Sequence, residues 1–279
     1  MRQVITSDFS SETYLSKLLK LEKFISRYKK VIVAYSGGVD SSVIASVSTR
    51  VLGKKNVSIV IAKSPSLNSR ELIYAKHLAK KNNWNYSEIE TNEFNSKDYR
   101  ENTSSRCFFC KFELYSTLDK ISLDKRIDVV FNGTNIDDLN DFRPGNRAAK
   151  EIKIVSPFLE CKISKSDVRE IAKELRLENW DKPAQPCLSS RVPYGTEITM
   201  NILRQIENAE NYLHDLGFRN FRVRNHSLIA KIELSEPDFN LILDKKLRAN
   251  IDKKFKTLGF KFVSVDLSGF RSGNLNNAI

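Results

Sequence analysis

The run Ser36-Gly-Gly-Val-Asp-Ser-Ser42 has the residue types needed to hold an anion. Gly37 and Gly38 let the backbone turn with positive φ and come close to a ligand. Amides at a following helix start, helped by the helix dipole, can then face a phosphate or pyrophosphate. The hydroxyls of Ser36, Ser41 and Ser42 add donors around the same anion, and Asp40 stands among them. A Walker loop would need Gly-x-x-x-x-Gly-Lys-Ser/Thr and a dinucleotide fingerprint a third glycine, and neither is present.

Thiols are the second candidate chemistry. Cys107-Phe-Phe-Cys110 follows Asn102-Thr-Ser-Ser-Arg106 at a predicted loop-to-helix junction. Helix-start amides and a neighbouring Arg106 both stabilise thiolate, the form that binds metals and attacks electrophiles. The spacing is compatible with a redox pair, half of a zinc site or part of an iron-sulfur site. Zinc would want a closed tetrahedral set, and Cys107, Cys110, Cys161 and Cys187 do not form two close pairs. Thiolates from Cys107, Cys110 and Cys187 would instead leave one iron of a four-iron cluster without a protein ligand, open to an extra sulfide. Cys187 lies beside Ser189, Ser190 and Arg191, a polar and cationic setting. Cys161 has no such company and reads as a small buried residue.

Guanidiniums are the third. Arg222 and Arg224 alternate with Phe221 and Val223 on a predicted strand, which puts both on the face opposite the apolar one. Arg271 lies between glycines in Gly269-Phe-Arg-Ser-Gly273. With Arg191 and Ser190 they make a candidate receptor for phosphate or carboxylate, which planar donors favour.

Positioning these groups takes an ordered scaffold. Leu15, Leu18, Leu21, Phe24 and Ile25 predict a leading amphipathic helix over Ser11 to Tyr28. Strands are expected at Val31 to Tyr35, Val57 to Ala62, Tyr86 to Ile89, Asp128 to Phe131 and Lys153 to Pro157, with helices between them. Such alternation argues for a parallel sheet, whose ligands gather at the carboxyl ends of the strands. Ser36 to Ser42, Ala62 to Ser64, and Gly133 to Asp138 with Thr134 should therefore converge. Ser164-x-x-Asp167 reads as a capping box. Asp181 to Gly195 carries Pro183, Pro186 and Pro193 and must be a crossing loop. Beyond it a helix (Thr199 to Leu216), strands at Phe221 to Asn225 and Leu228 to Leu234, a helix within Pro237 to Leu258 and a strand at Phe260 to Leu267 predict a small antiparallel or mixed sheet under helices.

At 279 residues and 41% hydrophobic content the chain is long enough for two globular domains, expected at 1–193 and 194–279. No signal-like n-region and h-region opens it and no run is long enough to span a membrane, so a cytoplasmic protein with no membrane partner is expected. A formal net charge of +12 attracts anions, whether nucleic acid, nucleotides or polycarboxylates, although scattered lysines also read as a solvated surface.

Ser36-Gly-Gly-x-Asp-Ser-Ser42 resembles the PP-loop of ATP pyrophosphatases. Together with Arg106-Cys-x-x-Cys-Lys111, Gly133-Thr-Asn135, Cys187-Leu-Ser-Ser-Arg191, Pro193-Tyr-Gly195 and Gly269-x-Arg-Ser-Gly273, it resembles the ATP-dependent sulfur transferases of the LarE-like family over most of the chain. The resemblance implies an α/β fold: a parallel-sheet PP-loop domain of the adenine nucleotide alpha hydrolase type, followed by a smaller α+β domain for substrate binding or oligomerisation. It implies ATP and Mg2+ at Ser36, Gly37, Gly38, Asp40, Ser41, Ser42, Ala62, Gly133 and Thr134. ATP would adenylate a carboxylate of pyridinium-3,5-biscarboxylic acid mononucleotide, and a sulfur nucleophile would displace AMP to leave a thiocarboxylate of a nickel-pincer cofactor precursor. The anionic mononucleotide would meet Ser190, Arg191, Arg222, Arg224 and Arg271. In single-cysteine members the residue at the Cys187 position surrenders its own sulfur. Cys107 and Cys110 depart from that pattern and look like the branch in which three cysteines hold a [4Fe-4S] cluster fed by a sulfide donor.

A homo-oligomer is expected. The alternative within enzymes is an iron-sulfur tRNA thiolase, which the net charge favours; Val39 in place of the familiar lysine and the lack of an RNA-binding module count against tRNA. A non-catalytic iron-sulfur or nucleotide-binding protein is the alternative outside enzymes, and an ammonia-dependent synthetase would leave the cysteines idle.

Overall fold

The computed structural model describes residues 13–139 and 145–271; Ser11 of the expected leading helix and Ser272 and Gly273 of the closing glycine motif lie outside the described residues. The chain opens with α1 (Tyr14–Ile25), capped by the Thr13 hydroxyl, then β1 (Val31–Tyr35), α2 (Val39–Leu52), β2 (Val57–Lys63), α3 (Ser69–Lys81) and β3 (Tyr86–Glu90). It continues with the short α4 (Lys97–Arg100), α5 (Arg106–Asp124), β4 (Val129–Phe131), α6 (Gly145–Glu151), α7 (Pro157–Glu160) and α8 (Lys165–Glu174). The sheet order is β3-β2-β1-β4, all parallel, with β1 central.

Strand alternation assigns the two faces. Val31, Val33 and Tyr35 join Ile59 and Ile61 under α1, α2, α3 and α8, where Leu21, Val43, Val47, Ala79 and Ile171 are buried. Ile32, Val60 and Val130 point the other way and meet Phe108, Tyr115 and Leu118 of α5 and Ala148 of α6. This is the α/β PP-loop fold that the motifs predict.

The expected strand at Lys153 to Pro157 shrinks to a single parallel bridge between Phe131 and Val155. Lys153 takes a left-handed conformation (φ 58) just after α6, and Pro157 starts α7, so only a short extended link remains between two helices.

After the Pro-rich crossing come α9 (Met200–Asp215), β5 (Phe221–His226), β6 (Ile229–Leu234), α10 (Glu236–Ile242), α11 (Lys245–Thr257) and β7 (Phe262–Val265). The second sheet is mixed, with β5 antiparallel and β7 parallel to β6. Helices α9, α10 and α11 cover one face of it through Leu213, Ile242, Ile251 and Phe255. The helical region expected within Pro237 to Leu258 is broken in two because Asp244 is extended and caps α11, accepting from the Leu247 amide at 2.6 Å. No helix among the described residues is long and apolar enough to cross a membrane.

The Ser164 capping box forms as expected and also ties α8 to α1, because Asp167 accepts from Lys17 Nζ at 2.6 Å. Burial alone would raise the Asp167 carboxyl, but Lys17 and Ser164 hold it below its ordinary value of 3.8. Its contribution to stability is therefore present above that value and lost as pH falls through the depressed one. Asp167→Asn should lower stability by about 1–2 kcal/mol at neutral pH. Urea midpoints of the variant and the native protein should converge in strong acid; a gap that persists there would refute the linkage.

Candidate active site

The anion cradle forms at the carboxyl end of β1. Ser36 leaves the strand, Gly37 turns at φ 80 and Gly38 is the N-cap of α2. Ser41 Oγ stitches the turn, accepting from the Ser36 amide at 3.2 Å and donating to the Gly38 carbonyl at 3.0 Å. Gly37 has no substitute: an added Cβ would stand 2.8 Å from Ala75 Cβ on α3, in a backbone region that disfavours side chains.

Ser42 points inward, accepting from Asn179 Nδ2 at 2.9 Å, and the same amide group reaches the Gly37 carbonyl at 3.0 Å. Gly133, just past the adjacent β4, approaches so closely that a Cβ there would lie 2.9 Å from the Ser41 amide nitrogen. Its neighbour Thr134 is held by a 3.2 Å bond from its amide to Asn132 Oδ1. Asp40 faces the mouth of the cradle, paired with Lys165 from the start of α8 and accepting from Asn135 Nδ2 at 3.1 Å. Ala62 sits at the end of β2, half-buried in its pairing with Ile89.

The Pro-rich crossing lies over this same end of the sheet. The Leu188 amide donates to the Ser66 carbonyl beyond β2 at 2.8 Å, and Tyr99 OH and Ser189 Oγ are 2.6 Å apart. Lys182 Nζ bonds Glu71 of α3 at 2.6 Å and sits 3.9 Å from the Tyr74 ring centre. Buried Asn102, left-handed at φ 54, donates from Nδ2 to the carbonyls of Val192 (3.3 Å), Pro193 (2.8 Å) and Thr196 (3.0 Å).

Arg106, the first residue of α5, bonds Asn102 Oδ1 and the Ser189 carbonyl (2.9 Å) while its Nη2 reaches Cys107 Sγ at 3.9 Å. The Cys-x-x-Cys turn and the Cys187 segment are thereby pinned together. Cys107 is exposed, Cys110 and Cys187 are half-buried and Cys161 is buried in the core, as its sequence setting predicts.

Burial pushes the Cys110 thiol up to about 12, with Cys187 and Glu93 adding to the rise, so it holds its proton in this state. Burial pulls the Arg106 guanidinium down, but Cys187 and Cys107 outweigh it and leave its pKa raised. Soft thiols beside a cation are a donor set suited to an iron-sulfur group. In this arrangement, among the described residues, no three His, Cys, Asp or Glu side chains converge tightly enough to hold a metal ion.

The arginines of the second unit are not on a solvated face. The side of β5 opposite its helices is covered by the Pro-rich crossing, and Arg222 and Arg224 are buried under it. Arg222 donates to the Ala184 carbonyl at 3.1 Å and stacks 4.8 Å from the Phe270 ring centre. Arg224 donates to the Ser190 carbonyl at 2.6 Å and to Glu233 at 2.7 Å, leaving its Nε buried with no partner among the described residues. Arg191 clasps Glu210 through both nitrogens (2.9 and 3.1 Å) and donates to the carbonyls of Pro186 (2.6 Å) and Cys187 (3.0 Å). Ser190 Oγ adds a 2.7 Å bond to the Cys187 carbonyl. Arg271 is exposed and acts on Asp266.

Comparison with known proteins bears on the family and the fold. Residues 12–108 match the NAD synthase family. The chain is 42% identical over 264 residues to an uncharacterised protein of Synechocystis sp., covering 95% of this chain and 98% of that protein. It is 38% identical over 267 residues to an uncharacterised protein of Methanocaldococcus jannaschii, covering 93% and 99%. It is 36% identical over 270 residues to the pyridinium-3,5-bisthiocarboxylic acid mononucleotide synthase of Lactiplantibacillus plantarum, covering 96% of each. The chain belongs to the LarE-like family.

Several residues that shape this LarE-like site carry no motif. Lys165 is placed at Asp40 only by the packing of α8, and Asn179 reaches the cradle from the loop after it. Asn102 had one readable signal, a run of small polar residues ahead of the cysteines, which turn chemistry favours. Asn102→Ala removes the side-chain bonds to Val192, Pro193 and Thr196, of which Pro193 keeps the Thr196 amide, and puts alanine in a left-handed conformation, so a loss of about 3 kcal/mol is expected. Limited proteolysis should also show earlier cleavage between residues 182 and 198; an unchanged cleavage pattern would show that the crossing is held by other contacts.

Proposed function

We propose that this chain is an ATP-dependent, AMP-forming sulfur transferase that converts a carboxylate of pyridinium-3,5-biscarboxylic acid mononucleotide to a thiocarboxylate. The relative of known name makes the corresponding bisthiocarboxylic acid mononucleotide. The observation that carries the reading is that the Cys187 segment and the anion cradle occupy the same end of one parallel sheet, joined through Leu188 and Ser66.

A carboxylate resists nucleophiles until its oxygen is given a leaving group. Attack of that oxygen on the α-phosphorus of ATP expels pyrophosphate, which the amides after Gly37 and the hydroxyls of Ser36 and Ser41 would receive; the Ser42 hydroxyl, expected from the sequence to join them, is instead turned into the core toward Asn179 and Tyr35. Ala62, Gly133 and Thr134 would line the nucleotide. Asp40, a hard oxygen donor at the mouth, fits Mg2+, which would act as a Lewis acid on the phosphates.

Sulfur at the Cys187 segment would then bond to the acyl carbon as the bond to AMP breaks. Cys107, Cys110 and Cys187 would hold a [4Fe-4S] cluster whose remaining iron could carry a transferable sulfide. Holding it would require the three thiols to converge more tightly than they do here. A sulfide donor is the partner this implies.

The second unit, proposed to begin near residue 194, would receive the substrate's phosphate and second carboxylate. Burial and the neighbouring Arg191 and Arg224 pull Arg222 down to about 10. An anion entering this group would relieve the crowding of like charges, and the unpartnered Arg224 Nε offers it a donor.

Asp40→Asn and Ser41→Ala should each slow substrate-dependent pyrophosphate release by about tenfold or more. Native rates in both would refute the cradle's role. For the sulfur step, Cys107→Ala, Cys110→Ala and Cys187→Ala should each abolish repeated turnover and iron-dependent absorbance in anaerobically purified protein, while Cys161→Ala keeps both. If only Cys187→Ala matters and each chain gives up one sulfur, losing the mass of hydrogen sulfide, the cluster is refuted and Cys187 is itself the donor.

A further inference from the structure

Arg106 is 4% exposed, yet the groups that act on it most are the thiols of Cys187 and Cys107 and the Tyr194 hydroxyl, with no carboxylate among them. Its hydrogen-bond partners are an amide oxygen, a backbone carbonyl and a sulfur, and the guanidinium stands 5.7 Å from the Tyr194 ring centre. Of the other buried arginines, Arg191 has Glu210 and Arg224 has Glu233, while Arg222 has no paired carboxylate but lies in the field of both glutamates. A buried guanidinium without a counter-charge is costly, because neutral acceptors return only part of its lost hydration. Its position is also well determined, since the bonds to Asn102 and Ser189 come from segments on either side of the cysteines.

We propose that Arg106 is the counter-cation of the sulfur site: its missing partner is negative charge on sulfur carried between Cys107 and Cys187. Its second task is positional. By bonding Ser189 while Nη2 faces Cys107 Sγ, it keeps the Cys187 segment in register with the Cys-x-x-Cys turn. This deepens the sulfur-transfer reading and rests on it for the identity of the reaction, although the charge role can be read without any turnover. The ligand class is an anionic sulfur species: a thiolate, a hydrosulfide or a sulfide on a bound group. Nη1 is committed to Asn102 and Ser189, and the group that Nη2 meets is the Cys107 sulfur.

The test compares alkylation of the full-length protein by iodoacetate, which is anionic, and by iodoacetamide, which is neutral but of similar size. Peptide mass spectrometry gives a rate for each cysteine. A cation beside the sulfur favours the anionic reagent. Arg106→Gln should therefore lower the iodoacetate-to-iodoacetamide rate ratio at Cys107 by about fivefold, the factor a unit charge about 4 Å away supplies even under bulk-water screening. Arg106→Lys, which keeps the charge but loses the forked bond to Asn102 and Ser189, should restore the ratio and recover sulfur transfer only in part. Circular dichroism and the unchanged ratio at Cys161 control for misfolding.

A ratio at Cys107 that does not respond to Arg106→Gln overturns the proposal, whatever the enzyme's activity. Full sulfur transfer in Arg106→Gln overturns the positional part. If native protein transfers no sulfur but the ratio falls as stated, the counter-cation stands and the reaction assigned above is wrong.

Discussion

A segment with Pro183, Pro186 and Pro193 forms no regular structure beyond one 3-10 turn at Leu188–Arg191, so most of its backbone carbonyls must be satisfied by side-chain donors. In this protein those donors are mostly guanidiniums. Arg222 takes Ala184, Arg191 takes Pro186 and Cys187, Arg106 takes Ser189, and Arg224 takes Ser190. Asn102 completes the set at Val192, Pro193 and Thr196. Cys187 is thus positioned by its own short turn, through Ser190 and Arg191, and by charged side chains from α5 and the second sheet that hold the residues after it. Charge-assisted bonds of this kind are strong but exchangeable, because an anion of better geometry can compete for the same nitrogens.

That arrangement explains why the second unit is attached where it is. Arg222 and Arg224 belong to β5, whose apolar face is committed to α9 and α11, so their own face is available to grip the crossing. The second sheet is therefore coupled to Cys187 through its strand register: shifting β5 by one residue would turn both guanidiniums into the helix-covered core. Glu210 of α9 and Glu233 of β6 complete the coupling, because each is buried and holds one arginine in place.

Much of the cradle was legible in the sequence because its chemistry is local. The glycines, serines and Asp40 lie within one strand-turn-helix unit, and the capping box of α8 is equally short-range. Cys107 and Cys110 were likewise readable as a helix start, since α5 begins one residue earlier. What could not be read is whatever depends on which surfaces meet. Alternation placed Arg222 and Arg224 opposite the apolar face correctly, but no pattern within β5 says that a proline-rich segment covers that face. The same holds for Lys165 at Asp40 and Asn179 at Ser42, which are distant in sequence and joined only when α8 packs on α2. The strand expected at Lys153 to Pro157 failed for a local reason that apolar periodicity ignores: a left-handed lysine and an N1 proline leave it too few extended residues.

The net charge of +12 also takes on a different meaning once the arginines are located. Scattered lysines do form a solvated surface, but Arg106, Arg191, Arg222 and Arg224 are buried around the segment that carries Cys187. Glu210 and Glu233 are the buried carboxylates that pair with members of this group, so positive charge exceeds negative around that segment. Buried Glu93 beside Cys110 adds one more negative charge, and burying the remaining guanidinium charge is costly, so an anion in the site would offset part of that cost. A polyanion such as tRNA would be drawn chiefly by the exposed lysines, whereas a compact anion small enough to pass beneath the crossing would meet the buried arginines. The placement of charge therefore favours a small, multiply charged ligand near the second sheet and anionic sulfur near Arg106, with Cys187 between them.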